Sequence, residues 1–173
     1  MKTRYNKVFQ ELLSKFNLSD NFNYDIKLPN EILEILNDEI ILTKNGITLK
    51  SFGKLCKATN DWENQSIIED EQNHFHVDWL ADSDSKMAFM LGAKTLILLS
   101  LKFSEQNFSN IRFSFSFQTP ELSQEFDKLN GLYDENEDRY ISDRLSFHSI
   151  RETDEIVNFE NKNNFEALLI LEI

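Results

Sequence analysis

Residues 111–118 read Ile-Arg-Phe-Ser-Phe-Ser-Phe-Gln, a strict alternation of apolar and polar side chains. Successive side chains of a β-strand point to opposite faces, so this period predicts a strand with one apolar face and one face in contact with water. Such a strand must bury its apolar face against another layer of structure. The neighbouring segments therefore decide the architecture.

An apolar stretch from Met87 to Phe103 precedes this strand. Its apolar residues cover most of the circumference of a helix, which predicts a helix in the middle of the fold. Residues 82–84, Asp-Ser-Asp, supply N-cap side chains at its start. The stretch contains Lys94 and Lys102 and is shorter than the roughly 20 residues that cross a bilayer, so we expect a core helix.

The rest of the chain supplies weaker signals of the same kinds. Helices are predicted over Tyr5–Phe16, in a short segment after Pro29, and from Thr119 to Leu129; strands are predicted over His74–Trp79, Arg144–Ile150 and Phe165–Ile173. Lys44-Asn45-Gly46 between two β-branched runs predicts a hairpin, because Asn and Gly tolerate positive φ. Residues 51–71 show no regular pattern, and residues 131–140 read as an acidic loop.

Together these elements predict an α+β fold: an antiparallel sheet with one long central helix packed on a face and additional N-terminal helices. The length of 173 residues fits a single domain, with residues 1–50 as a possible appended layer. The hydrophobic fraction of 40%, including 15 Phe, is sufficient for a substantial core and excludes a disordered chain.

The charge balance of the chain bears on its function. The chain has 18 Lys and Arg against 30 Asp and Glu, a net charge of −12. This balance argues against binding to nucleic acid or to anionic membranes, and it favours a basic protein partner. Solubility alone is the competing explanation. The single Cys56 cannot form an internal disulfide, and no secretory signal is visible, so we expect a cytoplasmic protein.

Motifs for nucleophilic catalysis or cofactor binding are missing from the sequence. It contains no GxSxG, P-loop or GxGxxG pattern, and its 4 glycines are too few for a dinucleotide-binding turn. We therefore expect no cofactor.

His74, His76 and Asp78 form the sharpest local motif, since alternate positions of a strand place all three side chains on one face. Two imidazoles and a carboxylate are suitable ligands for a divalent transition metal, and His148 would complete the site if its strand lay alongside. The simpler alternative is a solvated polar face, and the sequence favours it because a complete site needs further ligands.

A second constellation runs from Asp143 through His148 to Arg151. Arginine and histidine beside carboxylates bind anions or exchange protons, so His76, His148 and Arg151 are the candidate catalytic residues. An ion-paired strand end explains the same residues more simply.

Two acidic runs are candidate docking surfaces for a basic protein. The first comprises Glu69, Asp70 and Glu71, and the second comprises Asp134, Glu135, Glu137 and Asp138. The second lacks the residue spacing of a calcium-binding loop. A loop that only contacts solvent is the alternative for both runs.

The segments 73–78, 145–152 and 170–173, with the long helix between the first two, resemble small uncharacterised acidic bacterial proteins. The resemblance covers about the last hundred residues. Some such proteins are similar to immunity proteins, which neutralise secreted toxins by tight binding. The resemblance implies a non-catalytic inhibitor that docks a basic toxin or other basic protein. The alternative is a metal-dependent or acid-base enzyme using His74, His76, Asp78 and His148.

Overall fold

The computed structural model describes residues 1–58, 64–136, 138–152, 154 and 165–173. Its helices are α1 (Lys7–Phe16), α2 (Asn30–Asn37), α3 (Gln65–Gln72), α4 (Ser85–Glu105) and α5 (Pro120–Asn130). Its strands are β1 (Lys2–Tyr5), β2 (Ile40–Thr43), β3 (Gly46–Leu49), β4 (Ile111–Gln118), β5 (Ser142–Ser149) and β6 (Ala167–Glu172). Two short 3-10 turns cover Lys50–Phe52 and Asp78–Leu80.

The main sheet is antiparallel, with strand order β1-β6-β4-β5. Strand β4, which carries the strictly alternating sequence, lies inside this sheet between β6 and β5. Phe113 pairs with Phe147 and Phe115 with Leu145, so the apolar faces of β4 and β5 coincide. The predicted α+β fold is confirmed. Strand β1 was not predicted, because its four residues, Lys-Thr-Arg-Tyr, carry no apolar alternation.

Helix α4 packs on the apolar face of the sheet, and α2 packs against α4. Asp84 caps it by accepting hydrogen bonds from the backbone N–H groups of Lys86 and Met87. Gly92 allows close approach to β4, since a Cβ there would lie 2.3 Å from Cζ of Phe115. Within the described residues, α4 is long and apolar enough to cross a membrane, yet 56% of its most apolar window is buried in the protein.

The hairpin of β2 and β3 is confirmed, with a different turn from the one expected. Lys44 and Asn45 occupy the turn, Gly46 pairs with Thr43, and Gly46 has a φ of 143°. The positive φ therefore falls on glycine and not on Asn45. Residues 1–50 also contribute strand β1 and the fully buried Phe9 to the main sheet and core.

The strand predicted over His74–Trp79 is wrong. Only Phe75 forms a bridge, with Leu145 of β5, through two backbone hydrogen bonds of 2.9 Å. The backbone pairing does not continue from Phe75 to Val77, because the Val77 N–H donates to the side-chain carboxylate of Asp143. The chain then enters the 3-10 turn at Asp78. The predicted alternation of burial is still present, since Phe75 and Val77 are buried and His74 and His76 are exposed.

Helix α3 was missed because its inward face is polar. Its buried residues are Ser66 and Glu69, so the sequence has no apolar stripe of helical period. Asn64 caps it by accepting a hydrogen bond from the Ser66 N–H. The helix lies against β5 and β3, and this placement forms the candidate site.

Candidate functional site

Glu69 of α3 is an internal anchor. Its side chain is fully buried and accepts hydrogen bonds from the backbone N–H groups of Ile47 at 2.8 Å and Ser149 at 3.0 Å. Arg151 donates to the other carboxylate oxygen at 2.6 Å. Gly46 makes room, since a Cβ there would lie 2.3 Å from Glu69 Oε2. Glu69 is therefore inaccessible, and its predicted place on a docking surface is wrong.

Arg151, a predicted catalytic residue, serves the same anchor. Beyond its ion pair with Glu69, its guanidinium donates to the Ser66 hydroxyl at 2.8 Å and to the carbonyl oxygens of Ser149 and Asn45 at 3.0 and 3.2 Å. The guanidinium thus joins α3, the end of β5 and the β2–β3 turn. These contacts give Arg151 a structural role that the sequence pattern did not reveal.

Asp70, the next residue of α3, contacts three side chains of β5. Arg144 donates to it at 2.8 Å and Ser146 at 2.6 Å, and His148 Nδ1 lies 3.3 Å away. Burial opposes ionisation of Asp70, but the hydrogen bonds from His148 and Ser146 and the charge of Arg144 hold its pKa below the usual value. Arg144 also pairs with Glu71 at 2.9 Å. The first acidic run is therefore largely engaged by internal cations.

Asp70 gives the protein an acid-sensitive contact. A carboxyl group whose pKa is lower in the folded than in the unfolded state stabilises the fold above its unfolded pKa, near 4. That stabilisation is lost as the pH falls through the folded pKa. We expect Asp70→Asn to lower the free energy of unfolding by about 1–3 kcal/mol at pH 7 and by less below pH 4. Urea denaturation from pH 7 to pH 3 measures this, and a constant difference across the range would contradict it.

A groove of about 480 Å³ lies beside α3 on the face of the sheet opposite α4. Its lining includes Arg112 and Ser114 of β4, His148 of β5, Leu168 and Ile170 of β6, and Asp70 and Asp154. His148 is held between two carboxylates, with Nδ1 3.3 Å from Asp70 and Nε2 3.6 Å from Asp154. The interpretation of this constellation as an ion-paired strand end accounts for these contacts.

His76 belongs to a different cluster from His148. A ring nitrogen of His76 and carboxylate oxygens of Asp78 and Asp143 lie within 4.8 Å of one another. His148 follows Asp143 by five residues on the same strand, a separation of about 17 Å along the backbone. The single cluster of His74, His76, Asp78 and His148 is therefore wrong, because His148 cannot reach it.

Asp143 is the member of this cluster that the sequence analysis assigned to the other constellation. Its side chain is buried, and both oxygens accept the Val77 N–H at 3.1 Å. Burial, reinforced by the charge of Asp78, raises the pKa of Asp143 to about 6. His74 lies outside the cluster: its ring nitrogen contacts the carbonyl oxygen of Glu71 at 2.6 Å.

The second acidic run lies on the surface between α5 and β5. Asp134, Glu135 and Asp138 are exposed, whereas Glu137 lies outside the described residues. Large apolar side chains are exposed in the same segment: Phe126, Leu129, Leu132, Tyr133 and Tyr140. We call these eight exposed residues the α5–β5 patch.

Internal contacts hold the α5–β5 patch together. Gln124 donates to the Tyr133 hydroxyl at 3.4 Å, and the Arg139 guanidinium lies 4.8 Å from the centre of the Tyr133 ring. Arg139 also pairs with Asp127 of α5 at 3.1 Å. These contacts connect the loop to α5, so the exposed apolar and acidic groups share one region of the surface.

Comparisons with protein-family models, curated proteins and solved structures gave no match.

Proposed function

We propose that the protein is a non-catalytic binding domain of the cytoplasm that docks a basic protein, as an immunity-type inhibitor docks a toxin. The observation that carries the proposal is the α5–β5 patch, where exposed aromatic and aliphatic side chains share one segment with exposed carboxylates. Both components are needed for a specific interface, because apolar contacts supply affinity and charges supply orientation.

The apolar component of the patch is unusual for a surface in contact only with water. Leu129 and Tyr140 are each 73% exposed and Leu132 is 63% exposed. Contiguous exposed apolar groups with a polar surround are typical of protein interaction sites. Tyrosine is also enriched among the residues that contribute most to binding energy.

The charge component favours a basic partner. Residues 119–140 contain seven acidic and two basic side chains, a net charge of −5. Arg139 is paired with Asp127, so its charge is largely compensated within the fold. The pKa of Asp134 is lowered because the Asn136 backbone and side-chain N–H groups donate to it, which keeps its carboxylate ionised at neutral pH. A negative patch of this kind accelerates encounter with a positively charged protein.

The contacts of two of the three candidate catalytic residues, Arg151 and His148, support the binding role over the enzyme alternative. Arg151 is engaged by Glu69 and three other acceptors, and both ring nitrogens of His148 face carboxylates. A general acid or base must reach a proton on a substrate. The contacts of Arg151 and His148 instead join α3 to β5.

Capture of the partner from native cell extract tests the proposal. The variant Asp134→Lys/Glu135→Lys/Asp138→Lys reverses three exposed charges of the patch, and Asp25→Lys/Glu34→Lys/Glu105→Lys reverses three exposed charges elsewhere. We expect the wild type and the second variant to capture the same basic protein in equal amounts. The patch variant is expected to capture at least tenfold less at low salt.

Equal capture by all three proteins would show that the patch is not the docking surface. Loss of capture by both variants would show that total charge, and not the patch, governs the interaction. Capture of no protein by the wild type would contradict the binding role itself.

A further inference from the structure

We propose that His76, Asp78 and Asp143 form a binding site for a divalent transition metal, with Zn²⁺ as the ion that fits the donor set. Imidazole nitrogen and carboxylate oxygen are both ligand types of this ion, which binds nitrogen at 2.0–2.1 Å and oxygen at about 2.0–2.2 Å. The site is separate from the groove beside α3, and it adjoins the α5–β5 patch because Tyr140 lines the cavity beside Asp78.

The three donor groups lie close to the spacing that one ion needs. His76 Nδ1 lies 3.4 Å from Asp143 Oδ1, and two ligand atoms at the corners of a zinc tetrahedron are about 3.4 Å apart. The same nitrogen contacts the backbone carbonyl oxygen of Asp143, and it must give up this contact to bind the ion. All three donor atoms lie within 4.8 Å of one another. Closure from 4.8 Å to the tetrahedral spacing needs a movement of up to about 1.4 Å. His76 is exposed and Asp78 is partly exposed, and both can make that movement.

The backbone fixes the buried ligand in place. Both oxygens of Asp143 accept the Val77 N–H, and the two hydrogen bonds between Phe75 and Leu145 fix the segment that carries His76 and Asp78 against β5. The 3-10 turn that begins at Asp78 bends the chain there, so that Asp78 stays close to Asp143. A ligand set supported in this way binds with little loss of conformational entropy.

The electrostatics of the cluster also favour a cation. Asp78 and Asp143 are neighbouring carboxylates, and among the described residues no lysine or arginine forms an ion pair with either of them. A divalent ion would compensate both negative charges, as metal ions do in carboxylate-rich sites. The exposed side of His76 and the cavity beside Asp78 leave room for a water molecule or a further ligand on the metal.

Isothermal titration of the untagged protein with Zn²⁺ at pH 7.5 tests the site. Cys56 is exposed and is itself a zinc ligand type, so each protein carries Cys56→Ser. The test variants are His76→Gln and Asp143→Asn. The matched control is His74→Gln, because the His74 ring lies 5.5 Å from the His76 ring and yet is outside the cluster.

We expect one Zn²⁺ per chain in the parent protein and in His74→Gln, with dissociation constants within threefold of each other. His76→Gln is expected to weaken binding at least tenfold, and Asp143→Asn by a similar factor. Zn²⁺ should raise the melting temperature of the parent and of His74→Gln but not of His76→Gln. Because His76 is exposed, we expect His76→Gln to fold, so this variant tests the site even if Asp143→Asn fails to fold.

The proposal is overturned if the parent shows no binding up to about 1 mM Zn²⁺. It is also overturned if His74→Gln weakens binding as much as His76→Gln, because the ion would then bind to the surface histidines and not to the cluster. Unchanged binding in His76→Gln would likewise exclude the assigned ligands.

Discussion

Replacing Glu69 by alanine is expected to lower the free energy of unfolding by about 3–5 kcal/mol. Glu69 is fully buried and accepts hydrogen bonds from Ile47, Ser149 and Arg151. Its removal leaves two backbone N–H groups without their acceptor at a fully buried position, and it leaves the Arg151 guanidinium without its carboxylate partner. The cost of these unsatisfied donors exceeds the net stabilisation that the ion pair itself provides.

Glu71→Ala is the matched control, because Glu71 lies two residues away on the same helix and also pairs with an arginine. Its contact with Arg144 is 2.9 Å, but its side chain is 57% exposed. We expect a loss of about 0.2–1 kcal/mol, as for other exposed ion pairs. Urea denaturation measures both variants. Similar losses for the two would show that Glu69 is not the anchor of α3.

Phe115→Ala is expected to lower the free energy of unfolding by about 3–5 kcal/mol, through lost apolar burial and the cavity left behind. Phe115 is fully buried on β4, where its ring centre lies 6.1 Å from that of Phe89 and 5.9 Å from that of Phe117. Phe126→Ala removes a partly exposed ring from α5 and serves as the control, with an expected loss below about 1 kcal/mol.

The effect of Gly92→Ala should change sign with the residue at position 115. In the wild type, the new Cβ would lie 2.3 Å from the Phe115 ring, so we expect a loss of about 1–3 kcal/mol. In Phe115→Ala the obstacle is absent, and alanine should stabilise the helix by up to about 1 kcal/mol. A double-mutant cycle measures the coupling, and additive effects would contradict the close approach of α4 to β4.

The fold could be predicted where one periodic signal dominated. Phe113, Phe115 and Phe117 mark the interior strand, and the apolar stretch from Met87 marks its covering helix. Prediction failed where the stabilising contacts are polar or remote in sequence. Helix α3 faces inward through Ser66 and Glu69, and β1 forms only because β6, at the other end of the chain, supplies its hydrogen bonds.

The candidate sites were also hard to predict where their contacts join residues that are remote in sequence. His76 and Asp78 could be grouped as possible ligands because they lie in one short motif, but Asp143 could not be grouped with them, since it comes from another element. Glu69 was assigned to an acidic surface because α3 has no apolar stripe. Without such a stripe, the sequence does not indicate which face of the helix is buried. The pairing of Arg151 with Glu69 spans 82 positions and has no local signal.

The exposed acidic loop was predictable, because Asp134, Glu135 and Asp138 lie in a segment with no apolar period. The apolar half of the α5–β5 patch was not predicted. Leu129 reads as one of the apolar positions of an amphipathic helix, and only the structure shows that it remains exposed. The docking proposal therefore depends on exposure, which the sequence pattern does not report.

The most direct test of the docking proposal is the association rate constant of the captured basic partner at low and high salt. We expect Asp134→Lys/Glu135→Lys/Asp138→Lys to slow association at least tenfold at about 20 mM salt, with little difference at about 500 mM, because salt screens the steering charges. Its melting temperature should match that of the wild type. Association as fast as wild type at low salt would contradict docking through the α5–β5 patch.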